Sequence, residues 1–202
     1  MSSNLSYRTK ALAIARKSGL ARARDFEMAG IPRTILTRLI ADGSLVRPTR
    51  GFYRLPDADI SVSHSLAEAA LAAPKGIVAL LSALQFHGLT TQLPHQVWML
   101  MPSKAWTPTA PPVKLRIIRA SDASLAAGVE QHRIDGVSVP ITSAAKTIAD
   151  CFKYRSAVGI DVAIEALRDG LRERKVMRPD LQRFALICRV QNVMRPYLET
   201  LP

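Results

Sequence analysis

Apolar positions recur along this chain with two periods, and their alternation outlines the elements. In the stretch from Ala21 to Pro56, Ile31, Ile35, Leu36, Leu39 and Ile40 fall on one helical stripe. Arg33, Thr34, Thr37 and Arg38 take the opposite face of that helix. Met28-Ala29-Gly30-Ile31-Pro32 reads as a hinge after a preceding helix, since Gly30 suits a left-handed helix end and Pro32 a helix start. Asp42-Gly43 stops the second helix. Beyond it, Leu45-Val46-Arg47 and Phe52-Tyr53-Arg54-Leu55 read as two short strands about a Pro48-Thr49-Arg50-Gly51 turn. A further helix over residues 5–17, ended by Ser18-Gly19, places Leu5, Leu12 and Ala15 against this pair.

Pro56-Asp57-Ala58-Asp59 is a polar break, and it divides the chain into residues 1–56 and 57–202. After it the pattern predicts helices over 64–73 and 77–86. The apolar run Val97 to Met101 predicts a buried strand, and the proline-rich stretch Trp106 to Pro112 a loop. Val113 to Ile118 alternates with period two, as a half-buried strand does. Val129 to Ile134 and Val137 to Ile141 flank Asp135-Gly136, a strong hairpin signal. Helices are expected from Thr142-Ser143 to Phe152, then over 158–171, 179–187 and 193–201. The fold class is therefore α+β: an N-terminal winged helix-turn-helix, then a C-terminal domain with a small β-sheet and flanking helices.

Charge changes this picture more than composition does. The chain of 202 residues carries a net charge of +12 and is 48% hydrophobic, with no apolar run near the ~20 residues of a membrane span. Residues 1–55 hold eleven Lys/Arg against three Asp/Glu, and the remaining 147 hold seventeen against thirteen. An excess concentrated in the winged segment suits a polyanion partner bound through phosphates. In that plan the second helix enters the major groove of double-stranded DNA, offering Arg33, Thr34, Thr37 and Arg38, and the wing offers Arg47, Arg50 and Arg54. The N-terminus lacks a signal-peptide stretch, so the expected compartment is the cytoplasm, with Cys151 and Cys188 as reduced core residues.

Candidate chemistry is sparse. His64, His87, His95 and His132 are scattered, no Walker loop or G-x-S-x-G elbow occurs, and no metal or cofactor site is expected. Glu173-Arg174-Lys175 matches half of a nuclease motif but falls at a charged helix end. A binding protein is the better inference than an enzyme. Lys114, Arg116 and Arg119 are further basic candidates, with a solvated sheet face as the equal alternative.

Longer segments carry a family resemblance. SHSLAEAALAAPKGIVALLSALQFHGLTTQLPHQVWMLMP (63–102) resembles the central signature of the AbiEi-type antitoxins of type IV toxin-antitoxin systems. ITSAAKTIADCFKYRSAVGIDVAIEALRD (141–169) resembles their second signature and VMRPYLE (193–199) their close; the winged module is similar to theirs as well. The resemblance implies a DNA-binding domain that represses its own operon at operator inverted repeats. It also implies a C-terminal domain that contributes to DNA binding and counteracts a cognate toxin of nucleotidyltransferase type. Carried over by position, the DNA-reading residues are again Arg33, Thr34, Thr37, Arg38, Arg47, Arg50 and Arg54. The alternatives are a winged-helix regulator with no toxin, and a protein-interaction module without sequence-specific DNA binding.

Overall fold

The chain begins with helix α1 (Ser2–Ser18), strand β1 (Ala21–Arg22) and helices α2 (Ala23–Met28) and α3 (Arg33–Ala41), followed by β2 (Phe52–Tyr53). Then come α4 (His64–Ala72), β3 (Ile77–Val78), α5 (Leu80–Phe86), β4 (Val97–Pro102), β5 (Leu115–Ala120), α6 (Asp122–Ala126), β6 (Val129–Ile134) and β7 (Val137–Thr142). Helices α7 (Ala144–Lys153), α8 (Arg155–Val158), α9 (Ile160–Arg172), α10 (Arg178–Cys188) and α11 (Gln191–Thr200) complete it. This computed structural model describes residues 2–48, 50–56, 63–109 and 111–201, without the side chains of residues 2–5. Leu5 and the expected boundary at 57–59 therefore lie outside what is described.

A mixed sheet of order β5-β4-β3-β7-β6 organises the C-terminal part. β4 pairs parallel with β5 and β3 with β7, whereas β3–β4 and β6–β7 are antiparallel. Both faces are covered, which is why Val97 to Met101 is apolar without alternation. Trp98 and Leu100 join the core under α5, α7, α9 and α10, and Val97, Met99 and Met101 join the core under α4.

The expected helix over 77–86 is corrected at its start. Ile77 and Val78 form the central strand, paired with Leu100 and Met99, and Val78 also pairs with Ile141. Helix begins only at Leu80. Two strand residues running straight into a helix leave no period to read, and tertiary pairing decides the conformation. The helix expected over 158–171 begins at Ile160, after the one-turn α8, and α6 lies where no helix was expected. Ala21-Arg22, expected to lead into the first helix of the pair, is a strand.

Helix α7 is buried along nearly its whole length, so even its polar side must find partners inside. Lys146 and Asp150, one helical turn apart, are fully buried and joined at 2.5 Å. The Lys146 ammonium also reaches Ser124 Oγ at 3.5 Å, and the Cys188 thiol donates to Asp150 Oδ1 at 3.3 Å. Burial pushes the Asp150 carboxyl above its ordinary value, against the pull of the Lys146 ammonium. Burial likewise pushes the Cys188 thiol up to about 12, with the Asp150 charge adding to it. Both cysteines are free and buried, as core residues.

A charge stripped of its buried partner costs more than the pair gains. Asp150→Ala should therefore lower unfolding free energy by about 3–5 kcal/mol, whereas Lys146→Met with Asp150→Leu should lose far less. Urea titration of the two variants checks this; equal losses would contradict it.

Candidate nucleic-acid interface

The N-terminal module packs around Ile31, Ile35, Leu36 and Leu39 of the second helix region, with Phe26 and Tyr53 edge to face at 5.5 Å. Gly30 turns the chain between α2 and α3 at φ +72°, where an L side chain would be strained, and its N–H closes onto Glu27 O at 2.9 Å. Fixing one face of α3 in this core leaves Arg33, Thr34, Thr37 and Arg38 together on the exposed face. The structure thus brings the four helix residues into one surface.

Their side chains are not equally available. The Arg33 guanidinium donates from Nε to Glu27 Oε1 at 2.7 Å while its side chain stays 79% exposed. The Thr37 hydroxyl donates to Arg33 O at 3.2 Å within the helix, which leaves its methyl and lone pairs for a ligand. Among the described residues the Arg38 side chain has no hydrogen-bond or ion-pair partner.

The wing is broader than two strands. Val46 and Arg54 form a single antiparallel bridge, while β2 pairs with β1 through Ala21↔Tyr53 and Arg22↔Phe52. The Ala23 N–H donates to Gly51 O at 2.7 Å, tying the turn to the start of α2. Arg47 and Arg50 are exposed and unpartnered among the described residues, and Thr49 lies outside them. Arg54 differs: its Nη1 donates to Leu55 O and Pro56 O at 3.1 and 3.3 Å, and its Nε is buried without a partner. It braces its own backbone.

Three arginines that the sequence pattern did not single out gather at a second place. Arg22, Arg24 and Arg133 line a cleft of about 520 Å³ with Asp25, Gln131 and Ser138, between β1–α2 and the β6–β7 hairpin. Arg22 lies over the Phe52 ring at 5.8 Å. Only the docking of the two parts brings Arg133 here. The sequence signal for Arg22 and Arg24 was their charge alone.

Of the other candidates, Arg116 stacks over Trp98 at 4.5 Å, but Arg119 does not share its face. Arg119 donates to Pro102 O, Ala105 O and Thr107 Oγ1 at 2.7, 2.8 and 2.6 Å, holding the proline-rich loop. Glu173 sits at the exposed end of α9 beside Lys175 at 2.9 Å, and the hydrogen bond from Lys175 lowers its carboxyl below the usual range. No group of three or more His, Cys, Asp or Glu among the described residues could hold a metal ion. No helix of the described residues is long and apolar enough to cross a membrane.

Residues 10–56 match the family model of a transcriptional regulator, the AbiEi antitoxin. The segments 63–102 and 141–169, which carry the resemblance further along, lie outside that match. The fold is similar to that of the RV2827C protein from Mycobacterium tuberculosis in its crystal structure, with a TM-score of 0.58 and 15% identity. That similarity covers 95% of this chain and 77% of the other. No curated protein matches. Residues 10–56 are thus similar to the AbiEi antitoxin regulators, within an α+β fold.

One contact sets the far end of α3. Arg8 of α1 pairs with Asp42 Oδ2 at 2.5 Å and donates to Ser44 Oγ at 2.7 Å. Ser44 first and Arg8 second, through their hydrogen bonds, hold the Asp42 carboxyl down at about 2. A carboxylate depressed in the folded state gives stability above its unfolded value of 3.8 and loses it as pH falls through about 2. Asp42→Asn should therefore melt below the parent at pH 5, and the gap should close between pH 4 and pH 2. Melting curves across that range check it; a gap unchanged at pH 2 would contradict it.

Proposed function

We propose that this chain is a cytoplasmic, sequence-specific repressor of its own operon and the antitoxin of a type IV toxin-antitoxin system, opposing a nucleotidyltransferase toxin. The observation that carries the reading is the exposed face of α3, two arginines and two threonines held on a helix whose other face is buried. The family match over the same module supports it, and the resemblance in the longer segments supplies the toxin.

Each side chain has a role in this reading. Arg38, without a partner among the described residues, reads a guanine edge through its paired donors, and Arg33 does so after exchanging Glu27 for the base. Thr34 and Thr37 meet thymine methyls or phosphates, while Arg47 and Arg50 hold the backbone beside the wing. Arg54 shapes the wing from behind. Arg22, Arg24 and Arg133 extend the phosphate track toward the C-terminal domain, which gives that domain a share in binding.

Titration on the chain's own upstream DNA beside scrambled DNA, at several salt concentrations, tests the reading. Tight binding to the upstream fragment, weakening steeply with salt, is expected. Arg38→Ala should cost about 1–3 kcal/mol and relax specificity at one position, and Arg50→Ala should weaken all sequences alike. Equal, weak binding to both DNAs would overturn the repressor assignment. Co-expression with an adjacent nucleotidyltransferase gene tests the antitoxin half: growth should be restored only when this chain is present.

A further inference from the structure

The described residues of the connection between the parallel strands β4 and β5 contain no helix; they form a loop of prolines with one indole standing out from it. Trp106 is 70% exposed, while the chain's other tryptophan, Trp98, is 5% exposed. The residues on either side of Trp106 are held in place. The Ala105 carbonyl accepts from Arg119 Nη1 at 2.8 Å, and the Thr107 hydroxyl accepts from Arg119 Nη2 at 2.6 Å. Ala105 is itself buried, and its N–H donates to Pro102 O at 3.0 Å.

An indole on a loose tether would fold onto the nearest apolar surface. Here the Arg119 clamp holds the backbone on either side of Trp106, so the backbone part of its ordering cost is met before any partner arrives. Large rigid aromatics of this kind anchor protein interfaces by filling a pocket on the other side.

The charge along the segment that carries it is one-sided. Residues 69–121 contain five Lys/Arg and no Asp or Glu. Lys104 and Lys114 are exposed and without ion-pair partners among the described residues. Cations on the edge strand β5 also deter sheet-to-sheet aggregation, but that role does not require a presented tryptophan. Position argues against duplex DNA as the occupant. The winged module meets the sheet at the β6–β7 turn, and β5 is the opposite edge, three to four strand spacings or roughly 15–19 Å away.

We propose that Trp106, presented by the Arg119 clamp, is the anchor of a protein-binding surface whose partner offers an apolar socket rimmed by carboxylates. Lys104 and Lys114 steer the partner and Trp106 fills its socket. The surface is separate from the exposed face of α3, so its occupancy is independent of what that face binds. The inference does not rest on the repressor reading.

A photoreactive phenylalanine at position 106 of the full chain, irradiated in the native host, identifies what sits there. The captured protein is then purified and titrated against wild type, Trp106→Ala, Trp106→Phe and Lys104→Glu/Lys114→Glu. An acidic protein should shield Trp106 from acrylamide quenching and bind Trp106→Ala about tenfold more weakly or worse. Trp106→Phe should fall between, and the charge-reversed variant should bind weakly and lose its salt dependence. Unchanged circular dichroism and upstream-DNA binding show that these variants remain folded. Four outcomes overturn the proposal: no discrete captured protein, equal binding by Trp106→Ala, shielding of Trp106 by duplex DNA, or shielding by a second copy as concentration rises.

Discussion

The joint between Ser18–Leu20 and the Asp135–Gly136 turn is the contact on which the arrangement of the two parts depends. The turn has positive φ at both residues, 47° and 78°, as a tight hairpin of this hand requires. The same residues receive the end of α1. The Leu20 N–H donates to Asp135 O at 3.1 Å, and a Cβ at Gly136 would lie 2.4 Å from Ser18 O. The His64 ring bridges Asp135 at 2.5 Å and Glu68 at 3.5 Å, binding α4 to the joint. Leu20 enters the core of the C-terminal sheet. Asp135 and Gly136 thus close a hairpin and seat the N-terminal module on it.

That joint brings arginines from two units that the sequence separates to one cleft. Arg133 lies on the hairpin strand that the module meets, and Arg22 and Arg24 lie where the module begins its wing and its second helix. A groove with arginines on both walls favours a polyanion more than either wall alone, because the field of several nearby charges adds. Asp25 lines that groove as well, and the module's other two carboxylates lie outside it. Glu27 and Asp42 each hold an arginine, Arg33 and Arg8.

Inside the C-terminal part a different constraint operates. The sheet is covered on both faces, and α7 is enclosed by the sheet and its neighbouring helices, so Lys146 and Asp150 pair where water cannot reach them. Such a pair adds little net stability but tolerates few alternatives, since a shifted helix would orphan a charge. Asp150-Cys151 is accordingly core architecture. Burial pushes the Cys151 thiol well above its ordinary value, as befits a packed core side chain.

The sequence alone determined the elements with strong local grammar. The helical stripe of α3, the Asp135-Gly136 hairpin, the Ser143 cap of α7 and the proline-rich loop all rest on interactions between near neighbours in the chain. The exposed positions of Arg33, Thr34, Thr37 and Arg38 followed from that same periodicity. The tertiary structure decided what depends on distant partners. Ile77-Val78 is a strand because Leu100, Met99 and Ile141 flank it, and Ala21-Arg22 because Phe52 and Tyr53 do. Arg54 and Arg119 share the residue type of Arg50 and Arg116, yet carbonyl groups within reach draw them onto the backbone. A charge count registers a guanidinium, but only the packed chain fixes whether its donors are already taken.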